Sequence, residues 1–171
     1  VKTRLKSILV RLEKAHPDAK LDLDFKNPLE LLIALILAAQ ARDDLVNQIT
    51  PKLFRAHRSA ADYAAAPPET LQSEIGKINF YRNKARSIHN CANQLVARFD
   101  GRVPDDLEHL LSLPGVGRKT ANIVLGNAFG RQTIGVDTHV MRLAQRLGLS
   151  KASDPDDIQV ELLKIVPEKK R

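Results

Sequence analysis

The stretch Leu29–Ala41, "LELLIALILAAQA", is apolar nearly all round a helix. A helix without a polar face cannot lie on a surface, so the rest of the chain must wrap it. The apolar run from Leu29 to Ala39 is broken by Glu30 and is too short to span a bilayer, so the wrapping is protein and not lipid. Asn27 and Pro28 set the start, one as N-cap and the other in the first turn.

The remaining segments read as the wrapping helices. Val1–Ala15 carries Leu5, Ile8, Leu9 and Leu12 at helical spacing and stops at His16-Pro17. Asp43–Phe54 carries Leu45, Val46, Ile49 and Leu53 on one face. Tyr63–Glu69, with two prolines, reads as a loop, and Glu69–Ile75 as a short helix. Gly76 and Asn79 mark a connection. Arg82–Phe99 is a long helix with Ala85, Ile88, Ala92, Leu95 and Val96 inward. Asp100-Gly101 turns the chain, and Pro104-Asp105-Asp106 opens a helix through Leu111. Further helices are expected from Arg118, over Thr138–Leu147 and over Asp154–Ile165. No strand alternation, repeat or low-complexity segment is visible. The expected fold is all-α with short connections. A length of 171 residues suits one domain or two small interleaved ones.

The formal net charge is +7. A solvated basic surface can carry that alone, but the excess of Lys and Arg points to a polyanion. Nucleic acid is favoured over a membrane, because no basic amphipathic helix with bulky apolar anchors stands out. The single cysteine, Cys91, cannot form an internal disulfide, which places the chain in a reducing compartment, cytoplasm or nucleoid. Its helical context suggests a small packed thiol. No signal peptide is visible. The first residue is Val1 and not Met, so the natural N-terminus is expected to have been trimmed or omitted.

The stretch most telling about function is "LSLPGVGRKTANIVLGNAF", Leu111–Phe129. Pro114 fixes the backbone, and Gly115 and Gly117 can take conformations closed to residues with side chains. Bare backbone amides can then approach another surface, and the helix starting at Arg118 aims its positive end the same way. Arg118 adds charge. The arrangement grips phosphate without reading sequence. The plain alternative is a tight turn between helices.

"LPGVGRKTANIVL" followed by "VDTHVMRLAQRLG" resembles the helix-hairpin-helix DNA glycosylase superfamily, and its endonuclease III branch in particular. "NPLELLIALILAAQARDDLVN" and "INFYRNKA" are similar to further blocks of that family, in order and across nearly the whole chain. The resemblance implies two helical domains with DNA in the cleft between them. One is contiguous, 21–131; the other joins 1–20 to 132–171. It also implies removal of oxidised pyrimidines from duplex DNA, then cleavage of the strand at the abasic site, by a protein expected to be monomeric with no membrane association.

The resemblance assigns the site residue by residue. Lys119 falls at the catalytic lysine, an amine able to attack C1′ and form a Schiff base. Partial desolvation near a helix N-terminus beside Arg118 would disfavour its ammonium. Asp137 falls at the catalytic aspartate, which can stabilise a cationic sugar or deprotonate the lysine, and it equally suits an N-cap for the helix from Thr138. Gln40 matches the residue that fills the gap left by a flipped nucleotide; a polar end to a buried helix is the competing reading. Asn79 and Phe80 lie on the loop filling the opposite-strand side, with Phe80 where leucine is common. Asp43 matches an acidic pocket residue, or caps the helix after Arg42. His139 is placed near the pocket, most simply as a structural residue at a helix start. Gly115, Gly117 and Arg118 hold phosphate.

Lysine at 119 selects the bifunctional branch, since adenine-removing relatives carry a small hydroxyl residue there. Two alternatives stand beside it: a monofunctional glycosylase with a water nucleophile, and a non-catalytic DNA-binding module. The branch also implies a [4Fe–4S] cluster on four C-terminal cysteines. This sequence carries Cys91 alone and ends at "VPEKKR", so no metal site is expected in it, and either the tail is omitted or the protein lacks the cluster.

Overall fold

The computed structural model describes residues 2–168; Val1 and residues 169–171, at the ends of the expected second domain, lie outside that range. Among the described residues the chain is helical without strands: α1 (Lys2–Ala15), α2 (Pro28–Ala38), α3 (Asp43–Ala56), α4 (Ala60–Ala65), α5 (Pro68–Glu74), α6 (Tyr81–Phe99), α7 (Leu107–Leu111), α8 (Arg118–Phe129), α9 (Thr138–Arg146) and α10 (Pro155–Ile165). The all-α expectation holds.

α2 is the buried axis. Every residue from Leu31 to Leu37 is buried, and α3, α6 and α8 pack on it. Its start follows the sequence: the Asn27 side chain accepts from the Glu30 amide, and Glu30 accepts in return from the Lys26 amide. Around it Leu23, Val46, Leu53, Tyr63, Leu71, Ile78, Ile88, Leu95, Leu110 and Val124 form one apolar core. Each such side chain contributes on the order of 1.5–3 kcal/mol by leaving water. A second, smaller core gathers Leu5 from α1, Val136, Ala144 from α9, Ile158 and Leu162 from α10, and Val166. The chain passes between the two cores after α1 and again after α8.

Three details depart from the sequence reading. Residues 63–65, expected in a loop, are the second half of helix α4, Ala60–Ala65. Ser59 and Asp62 form a reciprocal capping box, and the two prolines mark a helix boundary, with Pro67 as N-cap and Pro68 in the first turn of α5. Val96 is exposed, because the inward stripe of α6 runs through Lys84, Ala85, Ile88, Cys91, Ala92 and Leu95. Leu12 is also exposed, while Leu5 carries the α1 contact. Cys91 is a packed thiol, pushed up to about 12 by burial. Among the described residues no helix is long and apolar enough to cross a membrane.

Candidate active site

The hairpin between α7 and α8 sits on the crossing of α2 and α6. Gly115 has φ +78, in the left-handed region. A Cβ there would lie 3.0 Å from the Ser87 Cβ and 3.8 Å from Ile36 Cγ1, so a bare backbone is required by packing as well as by conformation. Gly117 differs. Its φ of −91 and ψ of 173 suit any residue, and a Cβ would meet nothing within 4 Å. The expectation that both glycines need special conformations is therefore corrected for Gly117. Gly117 is the N-cap of α8 and offers no side chain to the first amides of that helix. Those donors, at the positive end of the helix, suit an anion.

Lys119, in the first turn of α8, meets Asp137, the N-cap of α9: Lys119 Nζ stands 3.3 Å from Asp137 Oδ2. The two carboxylate oxygens divide their work. Oδ1 accepts from the amides of His139 at 3.0 Å and Val140 at 2.8 Å, and Oδ2 faces the amine. The N-cap reading of Asp137 holds, and the same cap fixes the carboxylate that the amine meets. Partial burial pushes this carboxyl up, but the Val140 amide, Lys119 and the His139 amide outweigh it and hold it below its ordinary value. The Lys119 side chain is 51% exposed and Asp137 29%, so the pair opens to solvent. The sequence expects a partly desolvated amine with Arg118 beside it; half of the Lys119 side chain meets solvent. The Arg118 guanidinium turns instead to Asp156 in the first turn of α10, at 2.7 Å. The N-terminal ends of α8, α9 and α10 so converge.

Gln40, Asn79, Phe80 and Asp43 stand on other elements than this pair. Gln40 is exposed just beyond the end of α2, with φ +54, and is not part of the helix. Phe80 is 61% exposed with φ +59 at the start of α6, and exposed Asn79 precedes it. Asp43 is the first residue of α3 and not its cap; Arg42 holds that position and pairs with Asp44. His139 reaches the site through its backbone amide, while its ring Nδ1 faces Arg142 at 3.3 Å.

The chain matches the HhH-GPD superfamily of base excision DNA repair proteins over residues 33–168. The chain belongs to that superfamily. It is 46% identical over 168 residues to endonuclease III of Synechocystis sp., covering 98% of this chain and 77% of the relative. It is 42% identical over 167 residues to endonuclease III of Bacillus subtilis, covering 95% and 76%. Its fold is similar to the solved structure of a trapped endonuclease III–DNA covalent intermediate, with a TM-score of 0.93 and 44% identity over 99% of this chain and 80% of that one.

Within this HhH-GPD chain the residues do not fit an iron–sulfur cluster. Such a cluster needs four thiolates; Cys91 is the one thiol in the sequence and is buried in the first core. Among the described residues no group of three or more His, Cys, Asp or Glu is placed to hold a metal ion.

The structure adds residues the sequence reading missed. Asn122 is buried, donates to the Arg118 carbonyl and accepts from the Thr133 hydroxyl. Buried Gln159 on α10 donates to Thr133 at 3.3 Å. This chain of amides and hydroxyl ties α8 to the segment leading into Asp137. Its trace in the sequence is weak: a polar residue within the small, apolar run "TANIVLGNA". Lys84 was missed as well, although it falls on the inward stripe of α6.

Proposed function

We propose that Lys119 and Asp137 are the catalytic pair of a bifunctional enzyme acting on oxidised pyrimidines in duplex DNA. The chain is a base excision repair DNA glycosylase with AP lyase activity. The finer reading is carried by the 3.3 Å contact between Lys119 and Asp137. Asp137 accepts a proton from the Lys119 ammonium. The freed lone pair attacks C1′ of the sugar. The glycosidic bond breaks, its electron pair leaves with the base, and the base takes up a proton. The nitrogen gives up one proton, the C1′–O4′ bond breaks with O4′ taking up a proton, and an iminium, the protonated Schiff base, remains at C1′. Loss of a proton from C2′ then expels the 3′ phosphate by β-elimination. The Asp137 carboxylate also faces the positive charge that builds on the sugar.

The two apolar cores support the division into 21–131 and 1–20 with 132–171, with Lys119 on the first unit and Asp137 heading a helix of the second. Both residues come from one chain, which supports action as a monomer. DNA as partner is supported by the covalent DNA complex of the relative. Gln40 and Phe80, exposed on left-handed turns, suit side chains that enter a duplex, with Asn79 beside them. Asp43 and His139 are assigned to the substrate pocket in this reading.

The test uses a duplex carrying one thymine glycol. Base release with strand cleavage at the same position is the expected result. Release with an intact strand would point to the monofunctional alternative, and binding without release to the non-catalytic one.

The two hairpin glycines separate support from grip. Gly115→Ala is expected to cost about 1–3 kcal/mol of stability through left-handed strain and the Ser87 contact. Gly117→Ala should leave Tm nearly unchanged, since a poorer N-cap is offset by a stiffer unfolded chain. It should still weaken DNA binding severalfold by adding a methyl beside the anion-facing amides. Unchanged affinity would remove Gly117 from the phosphate grip.

A further inference from the structure

Two side chains near the proposed DNA surface stand on strained backbone. Gln40 and Phe80 are both left-handed without being glycine. Asp100 shares that conformation, but aspartate tolerates it in a turn, as bulky residues do not. Strain of this kind persists only where the surroundings over-determine it. The two turns lie at the end of α2 and the start of α6, forty residues apart in the sequence.

One residue links the two helix ends that carry them. The Lys84 backbone amide donates to the Phe80 carbonyl at 3.0 Å, closing the first turn of α6. Its ammonium crosses to α2 and donates to the Leu37 carbonyl at 2.7 Å. Leu37 is in the last turn of α2, where carbonyls lack helical partners, and the neighbouring Ala38 carbonyl takes the Ala41 amide just past Gln40. A cation there also meets the negative end of the helix. The residue is only 6% exposed, and burial pulls its pKa below the ordinary lysine value. Burying an ammonium is costly, and an apolar side chain at this inward position would fill the space without that cost. One turn further along α6, Ser87 meets Gly115 of the hairpin. The same α2–α6 crossing therefore seats both turns and the hairpin.

We infer that Lys84 is a positioning residue that sets the spacing between the Gln40 and Phe80 turns, so that both side chains enter the duplex together when a damaged nucleotide is extruded. This rests on the reading of Gln40 and Phe80 as the residues filling the gap. Extrusion opposes stacking most for an intact base and least for a site that has already lost its base. Misplaced turns should then slow excision of an intact lesion and spare chemistry at an abasic site.

The experiment compares two rates in each preparation: single-turnover release of thymine glycol from a duplex, and borohydride trapping on a duplex with a preformed abasic site. Their ratio does not depend on the folded fraction, so lost stability alone cannot move it. Lys84→Met is expected to lower the ratio about 10- to 100-fold. Lys84→Arg, which keeps a cationic donor, should restore most of it. Gln40→Ala and Phe80→Ala should each lower it too. If those two lower the ratio and Lys84→Met does not, the role of Lys84 is overturned while the reading of the turns stands. If Lys84→Met and Lys84→Arg lower it equally, the ammonium–carbonyl contact is not the cause and the inference fails. If Gln40→Ala and Phe80→Ala leave the ratio unchanged, the reading of the turns fails and the inference with it.

Discussion

Lys119→Gln is expected to abolish the covalent adduct that borohydride traps on an abasic duplex, and to lower strand cleavage by about a thousandfold or more. Glutamine keeps the length and polarity of the side chain and removes only the nucleophilic amine. The fold should be indifferent. Lys119 and Asp137 are both partly open to solvent, and an ion pair of that kind is worth at most about 1 kcal/mol. Asp137 keeps its bonds to the His139 and Val140 amides without Lys119, so α9 remains capped. Tm should therefore stay close to that of the parent, which separates lost chemistry from lost structure. Lys52→Gln, on the exposed side of α3, is the matched control and should trap normally. A full-strength adduct in Lys119→Gln would show that another amine attacks C1′.

The parts of the fold legible in the sequence are those governed by local rules. α2 announces itself because an all-apolar helix has one possible place, and Asn27-Pro28 fixes its start. Asp137 could be read as a cap because that role depends only on its position at the head of α9; its catalytic assignment comes from the family resemblance and from no local rule. Gly115 was legible from a local rule too, a Pro-Gly turn into a helix. The misses have a common physical cause: each depends on a partner distant in sequence. Arg118 reads as charge held out to phosphate, and nothing local shows that Asp156 of α10 is brought to it. Lys84 carries no assignment in the sequence because its partner, the Leu37 carbonyl, lies across the α2–α6 crossing. The loop assigned to Tyr63–Glu69 is a different failure, since the Ser59 to Asp62 capping box is local and visible, but the paired prolines pulled the reading toward a turn. Prolines at helix starts and prolines in loops look alike without a core to choose between them.

Asp137→Asn should lower base excision by about 10²- to 10⁴-fold, the range for losing a positioned proton acceptor, while leaving DNA binding intact. Asparagine caps helices as well as aspartate does, so its carbonyl oxygen can keep the His139 and Val140 amides and hold α9 in place. What disappears is the negative charge facing Lys119 Nζ, and with it both the proton acceptor and the counter-charge for the sugar cation. Removing a negative charge from a DNA-facing surface cannot weaken phosphate binding by repulsion, so a binding titration should match or slightly exceed the parent. The pH dependence of stability gives a second, independent check. The Asp137 carboxyl is held below its ordinary value in the folded chain. Its stabilising contribution is then fully present above the unfolded carboxylate value and is lost as pH falls through the lower folded one. The Tm difference between parent and Asp137→Asn should be constant near neutrality and shrink in acid, in the direction of the variant. Retained excision in Asp137→Asn would reduce the residue to its capping role and leave the deprotonation of Lys119 to another acceptor. A Tm difference that instead grew with acid would contradict the ion pair itself.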